Sequence, residues 1–560
     1  MTSALRASPS PRAIQLVAEA LGLRPEETIP YGRGFLKISL SVLERLKQAP
    51  LGRYVLVTAI NPTPLGEGKT TTSIGLAMAL SWLGHRSMVT LREPSLGPVF
   101  GIKGGGTGGG RSQLVPSQEI NLHCTGDAHA VASAHNLLAA MLDNHLFHGN
   151  EFRLDPACIR WPRVMGLSDR ALRHIRLTGA DGGERESEFI LTEASEVMAI
   201  LALASGPDDL QRRLERVLIG VTKDGQPVTG ERLGCVGGMT ALLWDALLPN
   251  LVQTIEGTPA IVHTGPFGNI AHGNCSVLAD AMAIRLADYV VTEAGFGSDL
   301  GAEKFFHIKC RTSGLWPQAA VIVATLRALK LHGGGGVVKT GQPLPMGLTG
   351  ANRAALQRGL ANLEAHIANV KAFGVTPVVA INAFAEDSPE ELEDLRRWSI
   401  DAGAFDAAVC THFVDGGKGA ERLAEAVTRA CRRPTSRTAL YPDTASIKEK
   451  IETVARRLYG AGGAAYEPRA EQQIEEAVRL GYGGLPICMA KTPLSLSHDP
   501  LRKGRPTGFT LPIQELRILA GAGFLTAVCS GIQLMPGLPK KPAGERIGVD
   551  PKTGEIVGLS

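Results

Sequence analysis

The sequence predicts an α/β protein built on a parallel sheet, and three observations predict it. Short β-branched runs alternate with longer helical stretches along most of the chain, glycine-bearing turns join the two, and the first such unit closes within about 40 residues. Residues 54–60 read as a buried strand, 70–84 as a helix packing Ile74, Ala77, Met78 and Leu80, and 87–91 as the next strand. A strand–helix–strand crossover is right-handed in nearly all proteins and makes the two strands parallel. The pattern recurs, with strands over 259–263, 289–292, 320–326, 375–382 and 407–411. Helices are read over 129–147, 277–286, 352–373 and 389–402.

At about 150 residues per domain, 560 residues make three or four domains. The helix at 129–147 leads out of the first unit and the strands from 289 onward return to it. The expected division is therefore a discontinuous first domain of 1–137 plus 285–360, a second of 138–284 and a third of 361–560. Lys plus Arg number 58 against 54 acids, a balance that excludes a general nucleic-acid binder, which concentrates positive charge. Nine scattered cysteines, odd in number and never spaced C-x-x-C, exclude a zinc ribbon or disulfide framework and predict reduced thiols in a cytoplasm. No run of about 18 apolar residues predicts a membrane span, and the first residues lack the apolar stretch of a secretory signal.

Glycine is in excess, 66 residues, and two stretches show why. Thr63-Pro64-Leu65-Gly66-Glu67-Gly68-Lys69-Thr70 lies between the first strand and its helix. It matches the end of the G-x-x-x-x-G-K-[ST] phosphate loop, with Thr63 where the first glycine belongs. Its backbone N–H groups would converge on an anion at a helix N-terminus. Lys69 would reach the terminal phosphates of a nucleotide and the Thr70 hydroxyl would ligate Mg²⁺. This makes the first domain P-loop NTPase-like. Arg92, after the second strand, emerges on the same sheet edge and can fork onto a carboxylate or phosphate, or sit in a surface ion pair. Glu93 beside it is placed to hold Mg²⁺ through water or to meet a substrate. Residues 101–111 hold seven further glycines, either a linker or a backbone passing close to a ligand. Asp127 reads as a general base or Mg²⁺ shell ligand, or as the N-cap of the following helix. His263, His272 and His332 show no metal-ligand spacing, and His272 sits on a loop that would line the cleft.

These residues resemble one family. TPLGEGKTTTSIGL, LREPSLGPVFGIKGG, EINLHCTGD, VATLRALKLHGG (323–334) and GIQLMPGLPKKPAGERI (531–547) are similar, in order and over the whole chain, to the landmarks of bacterial monofunctional formate–tetrahydrofolate ligases. The resemblance implies a ligase that joins formate to tetrahydrofolate with ATP, through formyl phosphate, giving 10-formyltetrahydrofolate, ADP and phosphate. It implies Lys69, Arg92 and Asp127 as catalytic residues, Arg92 on formyl phosphate, and a folate site of Glu93, Phe384 and Phe413. Phe384 matches the family's stacking phenylalanine, and Phe413 stands where the family carries tryptophan. Mg²⁺, a monovalent cation such as K⁺ and a homotetramer are implied with it. The glycine-rich signature departs from the family's GIKGGAAGGGY at Gly106, Thr107 and Arg111, and Ser117 and Ser168 replace the usual methionine and asparagine. Arg111 either pairs with a phosphate or folate glutamate or is simply exposed. The alternatives are a slow or inactive paralogue that binds nucleotide or folate, and a P-loop ATPase switch or metal-insertion chaperone.

Overall fold

The β-branched runs assemble into one large sheet in a computed structural model of the chain, which describes residues 10–64, 66–101, 105–179, 183–338 and 343–559. Twelve strands belong to it among the described residues. Seven run parallel in the order Pro259–Val262, Ser87–Leu91, Tyr289–Glu293, Arg53–Ala59, Ala319–Ala324, Thr376–Asn382 and Asp406–Cys410. Beyond Pro259–Val262 the strands Asn250–Thr254, Leu36–Ile38 and Thr28–Pro30 are antiparallel; Ser112–Val115 adds to Asn250–Thr254, and Gly108–Gly109 pairs with Ser112–Val115.

One difference from the sequence reading bears on the site. The second strand, Ser87–Leu91, does not lie beside Arg53–Ala59; Tyr289–Glu293 is inserted between them, with Val291 pairing both Val55 and Val89. Sequence proximity favours neighbours, but a helical crossover can skip a position that a later strand fills. The sheet also takes strands from 250–262 and from 376–410.

The central strands are apolar on both faces, as parallel strands covered by helices must be. Tyr54 and Leu56 point into one layer with Phe305, Ile322 and Val379, whereas Val55 and Val57 point into the other with Ile74, Met78, Leu80 and Leu423. Successive side chains alternate faces, so one seven-residue strand feeds two cores. Each such side chain, fully buried, contributes about 1.5–3 kcal/mol. The helix Lys69–Trp82 covers the second face and Arg353–Ala372 the first.

A smaller mixed sheet follows, ordered Gly463–Tyr466, Thr510–Leu519, Phe524–Cys529 and Ile487–Ala490. Its core is continuous with that of the large sheet's first face. No helix among the described residues is long and apolar enough to cross a membrane.

Candidate active site

The carboxyl ends of parallel strands share one edge, and loops leaving that edge can meet over it. The strand Arg53–Ala59 runs out there into Asn61, whose backbone N–H donates to His366 Nε2 at 3.0 Å and whose side chain donates to Asp299. Lys491 donates to the same Asp299 at 2.6 Å, with both side chains fully buried. This clamp fixes the base of the 63–70 loop.

Within that loop Gly66 and Gly68 have φ of +82° and +70°, values that strain other residues. A Cβ on Gly68 would also lie 3.0 Å from Asn382 Nδ2. Glu67 turns inward. Its carboxylate accepts the Thr63 N–H at 2.6 Å and the Thr325 hydroxyl, and burial pushes its pKa up. Asn382 donates to the Glu67 carbonyl at 2.8 Å and accepts from the Thr72 hydroxyl at 3.1 Å. Glu67 is therefore a brace for the loop, with Pro64, Gly66 and Gly68 exposed along its outer side. Leu65 lies outside the described residues, as do residues 102–104 of the glycine-rich stretch.

Lys69 opens the helix Lys69–Trp82, with Thr70 next, both half-buried. Burial lowers the Lys69 pKa and the nearby Arg92 lowers it further, against Glu293 and Glu67. Among the described residues the Thr70 hydroxyl has no hydrogen-bond partner. Arg92 leaves the end of Ser87–Leu91, donates to the Pro266 carbonyl at 2.9 Å and lies 3.8 Å from Glu293. Glu293 ends the strand inserted between the two, so it faces both cations. Sequence reading passed over it because nothing local marks it.

Glu93 and Asp127 form a buried acid cluster. Asn250 Nδ2 donates to Glu93 at 3.1 Å and to Asp127 at 2.8 Å. Lys37 Nζ donates to Asp127 at 2.9 Å and to Asn250 Oδ1 at 2.9 Å. Burial, then the adjacent Asp127, hold the Glu93 carboxyl well above the usual range. Asp127 is the first residue of its helix and Gly126 the N-cap, so its side chain serves this cluster and not a cap. Lys37 and Asn250 carry no motif; the lysine sits in a three-residue strand, Leu36–Ile38, paired on both sides.

Phe384 and Phe413 follow the adjacent strands Thr376–Asn382 and Asp406–Cys410, and Ala383 N–H donates to the Cys410 carbonyl at 3.0 Å. Both are exposed, by 39% and 56%, so neither is a core residue. The glycine-rich stretch runs against Phe413, whose carbonyl accepts the Arg111 N–H at 2.8 Å. Gly110, at φ +56°, leaves no room: a Cβ there would lie 2.1 Å from the Phe413 carbonyl oxygen. Gly110→Ala is expected to displace Phe413 and raise the KM for a ligand stacking there about tenfold, leaving the KM for a nucleotide unchanged. Steady-state kinetics against each substrate checks it. The unusual Thr107 is buried and its hydroxyl accepts from Asn121 at 3.1 Å; Arg111 is exposed. His272 lines no open cleft, being fully buried with both ring nitrogens unpartnered.

A mostly parallel sheet whose carboxyl edge gathers a glycine-bearing loop, a lysine, an arginine and an acid pair puts these residues where open α/β enzymes hold their ligands. The sequence profile described as formate–tetrahydrofolate ligase matches residues 3–560, and the chain belongs to that family. It is 54% identical to the formate–tetrahydrofolate ligase of a Roseiflexus species, over 98% of both chains. It is 53% identical to those of Saccharopolyspora erythraea and Paracoccus denitrificans, over 98% of this chain and 97% of each relative.

Proposed function

We propose that this chain makes 10-formyltetrahydrofolate from formate, tetrahydrofolate and ATP, releasing ADP and phosphate through a formyl phosphate intermediate. The observation that carries the reading is family membership over the whole length. A formate oxygen attacks the γ-phosphorus of ATP and ADP departs with the bridging oxygen. N10 of tetrahydrofolate then attacks the formyl carbon and phosphate leaves.

The site residues divide this work. The 63–70 loop, from Thr63 and Pro64 through Leu65, Gly66, Glu67 and Gly68 to Lys69 and Thr70, cradles the phosphates P-loop fashion. Its outward N–H groups bind them while the buried Glu67 holds its shape. Lys69 neutralises charge on the transferring phosphoryl oxygens. Arg92 holds the formate carboxylate in line, where its planar fork suits two oxygens. Asp127 accepts the N10 proton. Phe384 and Phe413 stack on the pterin from adjacent strands, with Glu93 completing the folate site. The unengaged Thr70 hydroxyl fits a Mg²⁺ ion, which would supply further charge neutralisation at the phosphates.

Activation by K⁺, a homotetrameric assembly, a cytoplasmic location and a P-loop NTPase-like first domain complete the proposal, with the threefold division 1–137 plus 285–360, 138–284 and 361–560. A slow paralogue or an ATPase switch predicts little or no formate-dependent ADP, and full-length membership of the ligase family does not favour either.

The test is formation of formyltetrahydrofolate that requires all three substrates, with its dependence on Mg²⁺ and K⁺ measured separately. Asp127→Asn is expected to slow formyl transfer about 10²–10⁴-fold with ATP affinity within twofold. Unchanged turnover would remove Asp127 from the proton path.

A further inference from the structure

The segment 323–334 marks the family resemblance, yet none of its residues has a part in the reaction described so far. Its geometry supplies one. Thr325 donates to the Glu67 carboxylate and accepts the Ala328 N–H at 3.0 Å, so the helix Leu326–His332 begins against the 63–70 loop. Arg327, the second residue of that helix, places its guanidinium carbon 3.8 Å from the Phe384 ring centroid. Its Nη2 donates to Glu386 at 2.8 Å, while its buried Nε has no hydrogen-bond partner.

A guanidinium that leaves an N–H unbonded while lying on a ring is oriented by the ring, since a planar cation gains from stacking on an aromatic face. The backbone beneath is also held: Phe384 N–H donates to Asp387 Oδ2 at 2.9 Å. Phe384 thus has one face covered by the guanidinium and its backbone fixed, while 39% of its surface remains exposed.

We propose that Arg327 is a positioning residue for tetrahydrofolate, fixing the plane of Phe384 so that its open face receives the pterin. This rests on the reading of Phe384 as a folate residue. An aromatic side chain at 39% exposure swings about χ1 and χ2, and a stacking partner must stop that motion on binding. Arg327 stops it beforehand, which lowers the KM for the folate without touching phosphoryl transfer.

Four proteins test the proposal: Arg327→Ala, Arg327→Lys, Phe384→Ala and the double alanine variant, each assayed against all three substrates. Arg327→Ala is expected to raise the KM for tetrahydrofolate about five- to tenfold. Its kcat and its KM for ATP and formate stay within about twofold, and Arg327→Lys, a cation without the plane, recovers part of the loss. In the Phe384→Ala background, removing Arg327 adds less than about twofold, because the ring it acts through is gone. The proposal is overturned by an unchanged folate KM in Arg327→Ala. A full effect persisting without Phe384, or a parallel rise in the KM for ATP, also overturns it, by showing that Arg327 touches substrate or acts through Thr325 and Glu67. If Phe384→Ala alone leaves the folate KM unchanged, the folate reading of Phe384 has failed, and that result is separate from a failure at Arg327.

Discussion

Lys69→Ala is expected to lower kcat/KM for formyltetrahydrofolate formation by at least about 10³-fold while the protein keeps its melting temperature or gains slightly. Phosphoryl transfer asks little covalent chemistry of a protein; positioned charge near the transferring oxygens supplies most of the acceleration, and one such group is typically worth 10²–10³-fold or more. Lys69 is prepared for that work. Burial and Arg92 together push its pKa down, because its ammonium is under-solvated. A polyphosphate beside it would replace the lost water and raise that pKa again. Because the free protein pays for that desolvation, removing the ammonium costs no stability. As pH rises through that depressed value, nucleotide binding should accordingly be accompanied by proton uptake, measurable by calorimetry in buffers of different ionisation heat. Lys69→Arg should not rescue turnover, since a planar fork cannot replace a compact ammonium reaching from the first position of a helix. Turnover within tenfold of the parent would remove Lys69 from the phosphate site.

How much of this arrangement could be read from the chain depended on range. The strand ending at Ala59, its turn and the helix from Lys69 are local: seven largely apolar residues, two glycines at positive φ and a helix start lie within thirty positions. The order of the sheet is not local. That Tyr289–Glu293 lies between Arg53–Ala59 and Ser87–Leu91 is decided by packing across some two hundred residues, and no periodicity reports it. Arg92 still reaches the expected edge, because every parallel strand ends there, whichever neighbour it has. The residues missed share a cause. Glu293, Asn250 and Lys37 carry no motif and become functional candidates only through what they touch. Phe384 and Phe413 show the converse: residue type alone puts an aromatic in a core, yet both lie exposed at the sheet's edge. The small sheet beginning at Gly463 is harder to read because its long strand, Thr510–Leu519, carries a proline within it and pairs with strands on either side in the chain.

Lys37→Met is expected to destabilise the fold by about 3–5 kcal/mol, the usual consequence of stranding a buried carboxylate by removing its partner. The side chains of Lys37 and Asp127 are 1% and 3% exposed. All three ammonium protons are used, on Asp127 and Asn250 at 2.9 Å and on the Leu248 carbonyl at 3.3 Å. Methionine fills the volume but leaves the Asp127 charge with only Asn250 and Glu93 around it. Lys37→Met/Asp127→Asn removes both charges and should recover much of the loss, so the two substitutions are non-additive. The deficit should also depend on pH, through Glu93. Its carboxyl already sits well above the usual range because of burial and Asp127, and Lys37 is the cation that pulls it back down. An acid whose pKa is raised on folding is bound to more protons in the fold than in the unfolded chain. Its contribution is fully present below the unfolded value near 4.3 and is lost as pH rises through the folded value. Removing Lys37 raises that folded value further, so the gap between Lys37→Met and the parent should widen as pH rises through the parent's folded value. Urea midpoints across that rise measure it, and Glu93→Gln in the same background should flatten the slope. A Lys37→Met protein as stable as the parent throughout would mean that Asp127 finds another counter-charge, and the cluster would then have to be redrawn around that group.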